Sequence, residues 1–238
     1  MKRTLILAVL TLLASGAPAA QFNVGSGASV DLGTGSLDLG CADLDVTGTF
    51  SSGTSGITQA RDVTIAPAGI VNGESATLEV TGDWDNTGTF NAGTGTVQMV
   101  DGCSLASAVI NGNTTFNNLA MSTSSGFLYT FTSGSATDVS SDFEKSGASG
   151  NLLTIRASAA GFAASLNANG TISGNGFVDV MDNRATSSPI LLGPDGVKGS
   201  NSNGWFLAST IPMLPPIGLA ALGAGLLWRT RRALGLRR

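Results

Sequence analysis

Histidine is absent from the 238-residue chain. Without an imidazole, neither a Ser-His-Asp nor a Cys-His nucleophile system can be assembled from it. Cysteine occurs only twice, at Cys41 and Cys103. Two thiolates with no histidine beside them do not make a zinc cage, so neither metal nor cofactor is expected. Lysine, glutamate and long heptad runs are scarce, which leaves little from which to build a helical domain. Basic charge is scarcer still once the two ends are set aside. Between Gln21 and Thr210 there are 5 basic residues against 16 acidic ones, a net charge of −11. Phosphate contacts need Lys and Arg, so a nucleic-acid partner is disfavoured. An acidic exterior suits solubility and hard divalent cations better.

What the chain does have is concentrated first at its ends. Residues 1–20 carry a basic start (Lys2, Arg3), an apolar stretch from Leu5 to Leu13 and the small-residue exit Ala17-Pro18-Ala19-Ala20. That pattern is a secretory signal peptide, read by the secretion translocon and cleaved after Ala19 or Ala20. At the other end, residues 208–216 hold a linker and the box Ile211, Pro212, Met213, Leu214, Pro215 and Pro216. An uncharged run over 217–228 follows, then an Arg-rich tail over 229–238. The run is short against the ~20 apolar residues that cross a bilayer comfortably. As a transmembrane helix it would rely on Arg229, Arg231 and Arg232 snorkelling to the interface. Those arginines also set the orientation, because Lys and Arg beside a span stay in the cytoplasm.

The order of Pro-marked box, apolar run and terminal arginines resembles the C-terminal sorting signals of proteins processed by exosortases in Gram-negative bacteria. It is similar to the IPTL type, on Ile211, Pro212, Met213 and Leu214, with Met213 standing where the pattern has Thr. The resemblance implies that the tail is an address: an exosortase-like membrane protease removes it. The protein passes transiently through the inner membrane on its way to the cell surface or extracellular matrix. A plain anchor would need no proline box at its outer edge.

Between the ends, short β-prone runs recur: Ser36–Leu39, Leu44–Phe50, Val63–Ile65, Leu78–Trp84, Thr96–Val100, Thr115–Met121, Phe127–Phe131, Leu152–Ile155 and Phe177–Val180. Gly, Asn, Asp and Ser clusters separate them, which is turn chemistry and argues an all-β domain over residues 21–207. LDVTG at Leu44–Gly48 returns as LEVTG at Leu78–Gly82, and GTF at Gly48–Phe50 returns at Gly88–Phe90. Val63, Leu78, Val97, Thr115 and Leu152 suggest a rung of roughly 15 to 20 residues, a period that points to stacked coils. The expectation is a right-handed parallel β-helix, or solenoid, followed by the transmembrane helix. The alternative is a β-sandwich, which also yields short strands divided by turns.

Residues 78–206 resemble repetitive β-helical surface proteins of bacteria. The matching elements are Gly82–Trp84 with Asn86, Gly88–Phe90, Gly93–Val97, Thr114–Phe116 with Asn118 and Leu119, Leu152–Arg156, Asp179–Asp182 and Asn203–Trp205. The match covers about half the chain and implies a fold and an extracellular habit, not a reaction. Trp84, Phe90, Phe116 and Trp205 read as core or capping aromatics rather than carbohydrate platforms. An even cysteine count in an exported chain predicts a Cys41–Cys103 disulfide. Carboxylate pairs that could serve glycoside cleavage are Asp83 with Asp85 and Asp179 with Asp182, but both lie in turn contexts. Calcium at these turns has oxygen ligands to hand but no EF-hand or nonapeptide pattern. The reading is therefore a non-enzymatic surface or matrix protein used in adhesion or biofilm, with surface glycans as partners; the alternative is a polysaccharide-binding or polysaccharide-degrading β-helix protein.

Overall fold

The structure, a computed structural model, describes residues 20–174 and 176–207. All of the regular elements within them are strands, and every pairing between named strands is parallel. The chain climbs in three-sided coils. The first is β1 (Gln21–Val24), β2 (Ser29–Asp31) and β3 (Ser36–Asp38); the second is β4 (Asp43–Val46), β5 (Thr49–Ser51) and β6 (Gly56–Ala60). Then come β7 (Val63–Ile65), β8 (Ile70–Asn72) and β9 (Thr77–Val80), and β10 (Trp84–Asn86), β11 (Thr89–Asn91) and β12 (Thr96–Val100). The fifth and sixth coils are β13 (Ser107–Asn111), β14 (Thr114–Phe116), β15 (Asn118–Ser122) and β16 (Phe127–Phe131), β17 (Ala136–Val139), β18 (Phe143–Ser146). The seventh and eighth are β19 (Leu153–Ala157), β20 (Ala164–Ala168), β21 (Ile172–Gly174) and β22 (Val178–Val180), β23 (Asn183–Arg184), β24 (Ile190–Leu192), with β25 (Val197–Lys198) and β26 (Trp205–Leu207) closing the described run. This is a β-solenoid; parallel pairing throughout excludes the antiparallel sandwich. The segments expected to be a signal peptide (up to residue 19), a sorting box, a membrane run and an arginine tail lie outside the described residues.

Successive coils stack strand on strand. Gln21 sits over Asp43, Leu44 over Val63, Val63 over Trp84 and Trp84 over Ile110, offsets of 22, 19, 21 and 26 residues. The rung therefore varies, from the expected 19 or 20 in the early coils to 29 between Phe143 and Ile172. The marker positions Val63, Leu78 and Thr115 do not measure it, because they fall on three different sides of the coil: β7, β9 and β14. The two LxVTG copies are likewise not one rung apart. Leu44 pairs with Val63 on the first side, whereas Leu78 pairs with Ile57 and Val97 on the third. What the copies share is the chemistry of a corner. Thr47 Oγ1 donates to the Val24 carbonyl at 3.1 Å, Thr81 Oγ1 to Ala60 at 3.0 Å and Thr87 Oγ1 to Ile65 at 3.0 Å, each reaching the coil before. The glycine that follows passes close under that coil: a Cβ at Gly48 would lie 2.4 Å from the Ala28 carbonyl oxygen, and one at Gly88 2.2 Å from that of Ala66. The GTF repeat, by contrast, is a true rung repeat. Phe50 pairs with Val71 and Val71 with Phe90, two coils apart on the second side.

Along each strand side chains alternate, as β geometry requires. Val97 and Met99 in β12, and Phe127, Tyr129 and Phe131 in β16, point inward and are buried, while Gln98, Leu128 and Thr130 are partly exposed. Trp84, Phe116 and Trp205 are fully buried, in accord with their reading as core aromatics, and Phe90 packs against that core half-exposed.

The first side is one continuous nine-stranded ladder, but the other two sides are interrupted. On the second side β11 ends a four-stranded sheet and β14 begins another. Aromatics fill that seam: the ring centroids of Trp84, Phe90 and Phe116 lie 5.0, 5.2 and 5.7 Å apart. Thr114 Oγ1 accepts from Trp84 Nε1 and Asn86 Nδ2, satisfying the indole in the interior. On the third side the seven-stranded ladder stops at β21, and β24 pairs only with β26.

Cys41 and Cys103 form a disulfide with their Cα atoms 5.6 Å apart. Cys41 follows β3 in the first coil, and Cys103 lies in the loop 101–106 after β12 in the fourth. The loop therefore folds back along the stack. Its Leu105 lies over Gly82, where a Cβ would come within 2.9 Å of Leu105 Cδ1.

Candidate functional site

Outward side chains of neighbouring coils form polar ladders. Asn91 Nδ2 donates to Asn72 Oδ1, and Asn72 Nδ2 to Ser51 Oγ, on the second side. On the first side Asn111 Nδ2 donates to Asp85 Oδ1 at 2.9 Å and Thr132 Oγ1 to Asn111 Oδ1 at 2.8 Å. Asn167 joins Asp138 to Thr186 in the same manner further up. Asn72, Asn111 and Asn167 each both donate and accept, so the interior of a ladder satisfies itself without a ligand.

The four carboxylates that could have formed acid–base pairs are each engaged by the coil beside them. Asp83 Oδ1 accepts from the Val109 amide at 2.7 Å, and Asp85 holds Asn111. Asp179 is paired with Arg156, whose guanidinium also donates to the Asp179 carbonyl at 2.9 Å. Asp182 is buried in a left-handed turn, φ +55°, and accepts from Asn201 Nδ2. The acidic side chains of the first side also rise in register, Asp43, Asp62 and Asp83 following one another through the Leu44–Val63–Trp84 stack. Arg61 is wedged among them, 2.8 Å from Asp43 and 3.2 Å from Asp62. Burial pushes the Asp43 carboxyl above its ordinary range, with Arg61 opposing. Among the described residues no group of three or more Cys, Asp or Glu side chains is arranged to hold a metal ion.

Two side chains that sequence reasoning passed over stand out. Asp101 Oδ2 collects the amides of Ser124 and Ser125 at 3.1 and 2.9 Å, and the hydroxyls of Thr123, Ser124 and Ser125. Partial burial alone would raise this carboxyl, but the bonds from Ser125, Ser124 and Thr123 outweigh it and hold it at about 2. Lys145 is 3% exposed. It occupies an inward position of β18, in the column that Met99 and Met121 fill in the two coils before. Desolvation pushes its ammonium below the usual range. The signal for Lys145 was the alternation Phe143-x-Lys145, which places a lysine on the apolar side of a strand.

Among the crevices of the described surface are two that are not lined by a carboxylate. One, of about 370 Å³, lies between the loops at Ser133–Gly134 and 159–163, beside Phe162 and Arg184. The other, of about 550 Å³, lies at the third-side seam beside Lys145. No protein-family model, curated protein or solved structure matches the chain.

Proposed function

We propose that the chain is a non-enzymatic, exported surface or matrix protein of a Gram-negative cell, used in adhesion or biofilm, and that Ile211–Pro216 with the run to Trp228 is an exosortase-type sorting signal. The observation that carries this reading is the outer surface of the solenoid, where polar side chains bond one another up the stack instead of converging. A repetitive Ser, Thr and Asn surface offers a long face for contact or for glycan attachment. The Cys41–Cys103 bridge suits an oxidising, exported destination. The carboxylates that a glycan-cleaving site would need are engaged in structural bonds, which favours the adhesive reading over the polysaccharide-degrading one.

Replacing Pro212 and Pro215 with Ala tests the address. Alanine is well tolerated in a membrane helix, so insertion should persist while recognition fails. The variant is expected to accumulate in the inner membrane with its tail attached, as read by fractionation and intact mass. Trimming at the normal rate would reduce the segment to a simple anchor. In the same preparations, a glycan-cleaving activity lost on Asp83→Asn or Asp179→Asn with the fold intact would put the enzymatic reading first.

A further inference from the structure

The two interrupted sides of the solenoid are treated differently by the sequence. The seam between β11 and β14 is plugged by three aromatic rings. The seam between β21 and β24 is left open as a crevice of about 550 Å³. Ile172, Pro189, Leu191, Leu192 and Pro194 give it apolar walls, and Leu191 is 60% exposed at its mouth. At its inner end lies Lys145, which is 97% buried and makes no ion pair among the described residues. Its neighbour in sequence, Glu144, points to the outer face, and the next coil offers only Gly174 at the paired position.

A buried ammonium without an anion is costly, and a core that wanted only packing would have continued the Met99–Met121 column. We propose that this crevice binds an amphiphilic carboxylate, with Lys145 holding the carboxylate at the inner end and the Ile172, Leu191 and Leu192 walls covering an acyl or similar apolar body. A single cation beside a lone hydroxyl, Ser173, suits one carboxylate better than a phosphate, which is ordinarily gripped by several donors or by a guanidinium fork. Burial pushes the Lys145 ammonium below its usual range, and a carboxylate beside it would oppose that shift. This inference is independent of the sorting signal, since it concerns only the folded solenoid.

Titration calorimetry of the full chain with octanoate and with octanol tests it. Octanoate is expected to bind with a dissociation constant below about 1 mM, and octanol about tenfold more weakly or worse. Lys145→Met extends the methionine column and should fold, with Lys145→Gln as a second variant of similar length; circular dichroism checks both. Each variant should lose the preference for octanoate over octanol. The proposal is overturned if octanoate shows no saturable binding, if octanol binds as tightly, or if a folded Lys145 variant binds octanoate as the parent does.

Discussion

At the scale of single residues, the side chains that do most are those whose partners lie one coil away. Asp101 is the clearest case, because one carboxylate oxygen organises the turn 123–126 of the coil above it. Its folded pKa of about 2 lies below the ordinary 3.8, so the folded state binds fewer protons than the unfolded chain between those values. The charge-dependent stability is therefore complete above the unfolded value and is lost as pH falls through the folded one. Asp101→Asn keeps an acceptor but not the charge. The variant should unfold at lower urea than the parent above about pH 5, and the gap should close progressively as the pH approaches 2. A gap that stays constant down to pH 2 would assign the effect to shape instead of charge.

At the scale of strands and corners, Thr-Gly corners set the stacking distance. Gly88 has ordinary backbone angles, yet a Cβ there would press on the Ala66 and Gly69 carbonyls and on Ile65 Cγ2, at 2.2, 2.6 and 2.9 Å. Two of these are backbone atoms that cannot swing aside. Gly134 is the complementary case: φ is +81°, but no atom lies within 4 Å of a built Cβ. Gly134→Ala should cost about 1–2 kcal/mol, the left-handed penalty alone. Gly88→Ala should cost about 3 kcal/mol, because two coils must part. Urea midpoints of the two variants would separate these causes, and a Gly88→Ala variant as stable as Gly134→Ala would show that the corner yields. These corners also explain what could be read in the sequence. Thr96–Val100 and Phe127–Phe131 were visible because five residues of alternation survive in each, and both match β12 and β16. Leu44–Phe50 and Leu78–Trp84 each looked like one run but straddle a Thr-Gly corner, as β4 with β5 and β9 with β10 do. Strands such as β2 (SVD) and β23 (NR) are too short and polar to carry any period. The coil length stayed hidden because chemically alike corners recur on different sides. Lys145 stayed hidden because its meaning depends on a seam that no local pattern announces.

At the scale of the whole described solenoid, stability should be close to one-dimensional, each coil resting on the two beside it. The Cys41–Cys103 bridge breaks that rule, since it joins the corner after β3 to the loop after β12 and so clamps the first four coils together. Closing a loop across 62 positions is worth about 2–4 kcal/mol by restricting the unfolded chain. In a stack, that benefit belongs only to openings that separate Cys41 from Cys103. Fraying of β22 to β26 leaves both cysteines in place and gains nothing from the bond. Reduction, or replacement of both cysteines by serine, should therefore act regionally. Hydrogen exchange should accelerate across β1 to β12, by about 30-fold or more for amides that exchange through opening of these coils. Amides of β19 and β22 should exchange as before wherever their opening is local. Equal acceleration from end to end would mean that the coils open only together, and the nearest-neighbour description of this solenoid would have to be abandoned.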